Sequence, residues 1–194
     1  MKKLLTTLCL ALATAGMAAA QEAGKDGQMK AWETYMTPSA IHKMMAKSDG
    51  TWKTESTVWM DPAAAPIKST GTCTNKMILG GRYQESSHKS TMMGMPFEGK
   101  GTLAYDNAKK LFITTWIDNM GTGLMTLTGT WDETSKSIHF SGTMVDPTSG
   151  QDLPVREVLT MKDDNHQVMQ MFMTAGGQEM KTMEINLSRS GKKG

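Results

Sequence analysis

The chain has 194 residues, 39% of them hydrophobic and 21% charged, with a formal net charge of +2. That length fits one globular domain, and a near-neutral balance with no basic block in the body offers no face for nucleic acid. Past the N-terminus no apolar run is long enough for a membrane-spanning helix, so no membrane span is expected.

Residues 1–20, MKKLLTTLCLALATAGMAAA, have the layout of a secretory signal peptide. Lys2 and Lys3 form the charged start, Leu4 to Ala15 the apolar stretch, and Ala18 and Ala20 the small residues that a signal peptidase reads. Cleavage after Ala20 and a periplasmic or secreted location are expected. Cys9 has no lipoprotein-type setting. Cleavage removes two lysines, so Lys+Arg falls from 21 to 19 and equals Asp+Glu. It also leaves Cys73 with no partner for an internal disulfide. Cys73 is expected as a buried small hydrophobe in a strand.

Residues 21–36 are polar with scattered Met and read as a flexible lead-in. A helix is expected next. Thr37 suits its N-cap and Pro38 its first position, Ile41, Met44 and Met45 share a face, and Asp49-Gly50 stops it. From Gly50 the texture changes to Thr, Val, Ile, Trp and Phe in short runs between turn signals. The turns are expected at Asp61 to Pro66, Gly80-Gly81, Gly94 with Pro96, Asp106-Asn107, Asn119 with Gly121 and Gly123, Asp132, Asp146-Pro147 with Gly150, Asp163 to Asn165, and Gly176-Gly177. Nine turns separate about ten strands. The fold class expected is all-β: a single antiparallel up-and-down barrel, since closure removes the exposed edges of an open sheet. The domain is expected to run over residues 37–189, with a disordered tail at 190–194.

Two sets of residues then point to a family. Gly50-Thr51-Trp52 opens the first strand after a short helix, which resembles the Gly-x-Trp start of lipocalin-like (calycin) barrels. In such barrels an Arg on the last strand packs across that Trp, which implies a contact between Arg189 and Trp52. Leu79-Gly80-Gly81-Arg82, Gly94 to Phe97, Gly101 with Tyr105-Asp106, and Thr115-Trp116-Ile117-Asp118 with Gly121 resemble the bacterial family known as domain of unknown function 1579. The resemblance runs from about Ala40 to Arg189. It implies a lipocalin-like barrel in an exported or intracellular bacterial protein, and it transfers no activity and no catalytic residue.

Catalytic signatures are missing: no nucleophile elbow, zinc-protease helix, Cys-x-x-Cys, phosphate loop or dinucleotide fingerprint. No catalytic residue, metal site or cofactor is assigned. His88 with Met92, Met93 and Met95 would suit Cu(I), but Met also fills cores and loops. His166 follows Asp163-Asp164-Asn165 at a solvent-facing turn, a poor place for a haem ligand. The candidate ligand-binding residues are Arg82, Tyr105, Trp116 and Asp118 as a polar gate, with Met169, Met171 and Met173 on one strand face as an apolar wall. Arg156 and Glu157 are further polar residues within a later strand. The function expected is binding of a small, partly apolar ligand in a barrel cavity, by a Met-lined interior tolerant of ligand shape. The alternatives are copper handling through Met and His, and an enzyme with its site at the barrel rim.

Overall fold

The computed structural model describes residues 25–61 and 63–191. The expected signal peptide lies outside them, as do the last three residues of the tail. Two compact units divide the chain at Thr37. In the first, residues 25–36 form a helix, α1. The stretch expected as a lead-in is thus helical over these residues: Lys, Gln, Met, Ala and Glu are good helix formers, and no Pro interrupts them. Thr37 belongs to its end, where Oγ1 donates to the Glu33 carbonyl at 2.7 Å.

In the second unit a seven-residue helix, α2 (Ala40–Ala46), precedes ten strands. Its N-cap is Ser39, not Thr37. The Ser39 backbone N–H donates to His42 Nδ1 at 3.0 Å, which closes the first turn. The strands are β1 (Gly50–Val58), β2 (Ile67–Ile78), β3 (Tyr83–Met92), β4 (Met95–Asp106), β5 (Leu111–Asp118), β6 (Met125–Asp132), β7 (Ser137–Val145), β8 (Asp152–Met161), β9 (His166–Ala175) and β10 (Gln178–Arg189). Each pairs antiparallel with its sequence neighbours, and β1 pairs with β10 to close the barrel. Every turn signal in the sequence falls at a strand connection. The tightest are two two-residue hairpins, Met93-Gly94 with φ of 52° and 78° and Gly176-Gly177 with φ of 58° and 78°. Positive φ at both central residues is what matches the twist of the flanking strands. Among the described residues no helix is long and apolar enough to cross a membrane.

Up-and-down topology sends successive turns to opposite ends. The β2–β3, β4–β5, β6–β7 and β8–β9 turns share an end with the start of β1, where α2 enters. The remaining turns lie at the other end.

At the α2 end the barrel is plugged. Met45 is fully buried and packs with Phe112, Leu127, Ile138, Phe140 and Val155. Trp52 is fully buried with Cys73 and Leu187. Its Nε1 donates to the Ser48 carbonyl at 2.9 Å. Arg189, directly opposite on β10, lies with its guanidinium carbon 4.2 Å from the indole centroid. The same guanidinium donates to the backbone carbonyls of Lys47 and Asp49, both at 2.7 Å. The expected Trp52–Arg189 contact is thus present, and it also holds the end of α2.

Candidate functional site

Above the plug the strands enclose a lumen of about 320 Å³. Strand parity decides what lines it, because alternate side chains face opposite sides of a sheet. On β1 to β3 the inward set is mostly polar, with Thr54, Ser56, Ser69, Ser86 and Ser90 beside His88 and Met92. On β8 to β10 it is long and apolar, with Leu159, Met161, Met169, Met171, Met183 and Ile185. Among the described residues eight methionines reach the lumen. The ring is therefore two-faced.

Trp116 on β5 fits where β4 has no side chains. A Cβ on Gly99 would sit 2.3 Å from the indole, and one on Gly101 would sit 3.3 Å from it. The two glycines leave the groove that the ring occupies, and substitution at either would displace it. Trp116 Nε1 donates to Asp118 Oδ2 at 2.8 Å, and the Met120 backbone N–H donates to Asp118 Oδ1 at 2.9 Å. Phe97 stacks on the indole at 6.5 Å, and His88 meets it edge-on at 5.1 Å.

Across β2 and β3, Cys73 and His88 are directly paired. Cys73 Sγ is 3.2 Å from His88 Nε2 and 3.2 Å from Asn75 Oδ1. Burial pushes the thiol up to about 12 and the imidazole down to about 4. Both groups rest neutral. An activated nucleophile needs the reverse, a thiolate stabilised by an imidazolium. Cys73 is buried as expected, yet it is hydrogen-bonded rather than only packed.

Glu157 on β8 is the unusual group. Its register neighbours are Phe140 on β7 and Met171 on β9. Its carboxyl faces the lumen, and no hydrogen bond or ion pair holds it among the described residues. Desolvation alone pushes it up to about 7.

The expected site residues divide. Trp116, Asp118, Met169 and Met171 line the lumen. Met173 faces the same way but packs into the core beside Phe140 and Val155. Arg82 and Tyr105 do not join the gate. Arg82 is at the β2–β3 turn, where Nη1 donates to the Leu79 carbonyl. Tyr105 packs against His42 and Phe112 at the plugged end. The gate fails because β4 and β5 run in opposite directions: Tyr105 ends β4 at one end, and Asp118 ends β5 at the other. The His88–Met92–Met93–Met95 grouping also separates. His88 and Met92 line the lumen, while Met93 and Met95 are exposed. Among the described residues no three His, Cys, Asp or Glu gather as a metal site. His166 is exposed, and its Nδ1 lies 2.9 Å from the Asp163 carboxylate.

Glu157 is the residue that sequence reading noted without placing. Its parity with Val155, Leu159 and Met161 was the available signal.

Residues 37–189 match the model of a family described as protein of unknown function, DUF1579. Among solved structures, Rv2717c from M. tuberculosis is similar, with a TM-score of 0.60 and 14% sequence identity. That match covers 80% of this chain and 100% of the other, and at such identity it speaks to the fold alone. A comparison with curated proteins found no match.

Proposed function

The chain belongs to the DUF1579 family, and on that premise, which brings a barrel but no reaction, we propose that the protein binds a small, partly apolar molecule inside the barrel. The observation that carries this is the lumen itself. Its volume of about 320 Å³ falls at the small end of the range for ligand pockets. Its mixed walls match such pockets too, being mostly apolar with a few placed polar groups. Methionine suits the apolar side, since an unbranched thioether chain adapts to different ligand shapes.

Native mass spectrometry of the protein purified from its own host tests the reading. An organic adduct that leaves on denaturation is the expected result. Purely apo protein that also takes up no environment-sensitive apolar dye would overturn it. A metal adduct would favour copper handling instead.

We place the protein outside the cytoplasm on the strength of its N-terminal sequence. Intact mass of protein from the periplasm or medium should correspond to a chain starting at Gln21. Full-length protein confined to the cytoplasm would reject that placement.

A further inference from the structure

Resting on the reading that the lumen takes a small molecule, we propose that the molecule is an organic amine: a cationic head held against Glu157 and a short apolar body lying along the methionine wall. The inference starts from what Glu157 lacks. A carboxyl turned into an apolar enclosure is costly unless it is paired. The strands beside it offer Phe140 and Met171, and its own strand offers Val155 and Leu159 on the same side. None of these can donate a hydrogen bond or carry a charge.

The other ionisable groups at the lumen do not supply the missing cation. His88 and Cys73 are engaged with each other and neutral. Lys89 is exposed and pairs with Glu98 at 3.3 Å. Asp118 is a second carboxylate, but both of its oxygens already accept hydrogen bonds, from Trp116 and from Met120. α2 contributes Met45 to the lumen. An incoming ammonium therefore finds one carboxyl with both oxygens unengaged among the described residues, and that carboxyl is Glu157.

The surroundings suit the rest of such a ligand. Met169, Met171 and Met183 give an apolar, polarisable wall beside the carboxyl. The face of Phe140 is attractive to a cation desolvated in the lumen. β3, five strands from β8 in either direction round the barrel, presents Ser86 and Ser90 to any polar substituent at the far end. An anionic ligand would face the opposite situation, two carboxylates and no free base.

Protonation gives the proposal a signature. A carboxyl titrating near 7 must lose its proton to pair with an ammonium, so amine affinity rises with pH across that range. His88 is already neutral there and Cys73 still a thiol.

The test is calorimetric titration of the full chain with octylamine, 1-octanol and octanoate. At about pH 8 octylamine should bind at least about tenfold more tightly than 1-octanol, with octanoate weakest. Octylamine affinity should fall about tenfold by about pH 5.5, while 1-octanol affinity stays flat. Glu157→Gln should remove the amine preference and leave 1-octanol unchanged. Glu157→Asp, which keeps the charge on a shorter stem, should retain part of it. If 1-octanol binds as tightly as octylamine to the native protein, or the pH dependence is absent, the amine assignment is wrong although the lumen still binds ligand. If none of the three probes binds, the lumen-binding reading fails along with it. The native-protein arms decide the matter even if a variant does not fold.

Discussion

The plugged end of the barrel and the lumen above it are built from the same ten strands and differ in how their polar groups are settled. At the plug, polar side chains from several elements are tied to specific partners. Gln84 Nε2 donates to the Met45 carbonyl and to Asp49 Oδ1, both at 2.8 Å. Gln167 Nε2 donates to Ser48 Oγ at 2.7 Å, and Asp49 Oδ2 accepts from the Met77 backbone N–H at 3.0 Å. In the lumen a carboxyl stands with no partner, among methionines. Fully satisfied buried networks fix one arrangement, and partly satisfied ones do not. One end is therefore the part that specifies the fold, and the other is the part left free to interact.

The strongest way to break the plugged end is Trp52→Ala. It removes a fully buried indole, its hydrogen bond to Ser48 and the surface on which Arg189 lies. A loss of about 3–5 kcal/mol is expected, as for large aromatic truncations in cores. Urea denaturation followed by far-UV circular dichroism measures it. A loss under about 1 kcal/mol would show that this end does not carry the stability assigned to it.

The lumen is expected to respond to pH near neutrality through Glu157, while at the plug burial lowers only His42, which acts on the acid side. Glu157 titrates near 7 in the fold, above the ordinary value of 4.5. The folded state thus favours the protonated acid. The stability is fully present below about 4.5 and is lost as pH rises through about 7. The loss amounts to at most roughly 3 kcal/mol. Glu157→Gln should remove that dependence, so the variant gains on the native protein between about pH 4.5 and pH 8. His88 has the opposite sign. Its value falls from 6.5 to about 4, so its contribution is present above 6.5 and is lost as pH falls toward 4. His88→Gln should flatten the acid limb only. Thermal melts of both variants across this range check the pair, and parallel curves for native protein and variants would refute it.

A smaller effect is expected at Arg189. Its stack on Trp52 contributes about 1–2 kcal/mol where the contact is partly desolvated, and its hydrogen bonds to the Lys47 and Asp49 carbonyls add to that. Arg189→Met keeps the apolar stem and loses the donors. A loss of about 2 kcal/mol in urea midpoint terms is expected, with α2 the first element to exchange its amide hydrogens.

The two regions were not equally legible in the sequence. Ten strands and closure followed from turn spacing, and the Trp52–Arg189 pair from the resemblance of the opening motif to lipocalin-like barrels. Strand parity put Met169 and Met171 inside. The polar gate was misread because residues near strand ends were grouped without asking which end. Consecutive turns of a meander alternate between ends, so Tyr105 before one turn and Asp118 before the next could not meet. Glu157 needed the same kind of counting: its inward parity was available, but its lack of a partner depends on all the walls around it. The Cys73–His88 contact was within reach as well, since a hairpin centred on Gly80-Gly81 sets one opposite the other. α2 was displaced by a competing choice. Thr37 and Ser39 can both cap a helix, and only the extension of α1 to residue 36 commits Thr37 to the other side.

The smallest effect sharpens the comparison most. Met169 and Met171 line a space that is not filled, so exchange for Leu at either position should disturb little. Such swaps keep volume and apolar character, and they cost less than about 1.5 kcal/mol even in packed cores. Here the lumen can take up the change in shape, and a cost of about 0.5 kcal/mol or less is expected from the double variant Met169→Leu, Met171→Leu. Met45→Leu is the control at the other end. Met45 is fully buried among Phe112, Leu127 and Ile138, and its own backbone carbonyl is held by Gln84. A γ-branched side chain there meets packed neighbours on all but its lumen side, and a cost near the top of the 1.5 kcal/mol range is expected. Ligand response should invert this order. The double variant should alter the relative affinities of octylamine homologues of different chain length, because Leu is stiffer than Met and narrows the shapes the wall accepts. Met45→Leu, whose side chain meets the lumen only at its plugged end, should change those ratios less. If both substitutions cost the same and neither changes the ratios, the lumen is as rigidly packed as the plug, and the distinction between the two regions fails.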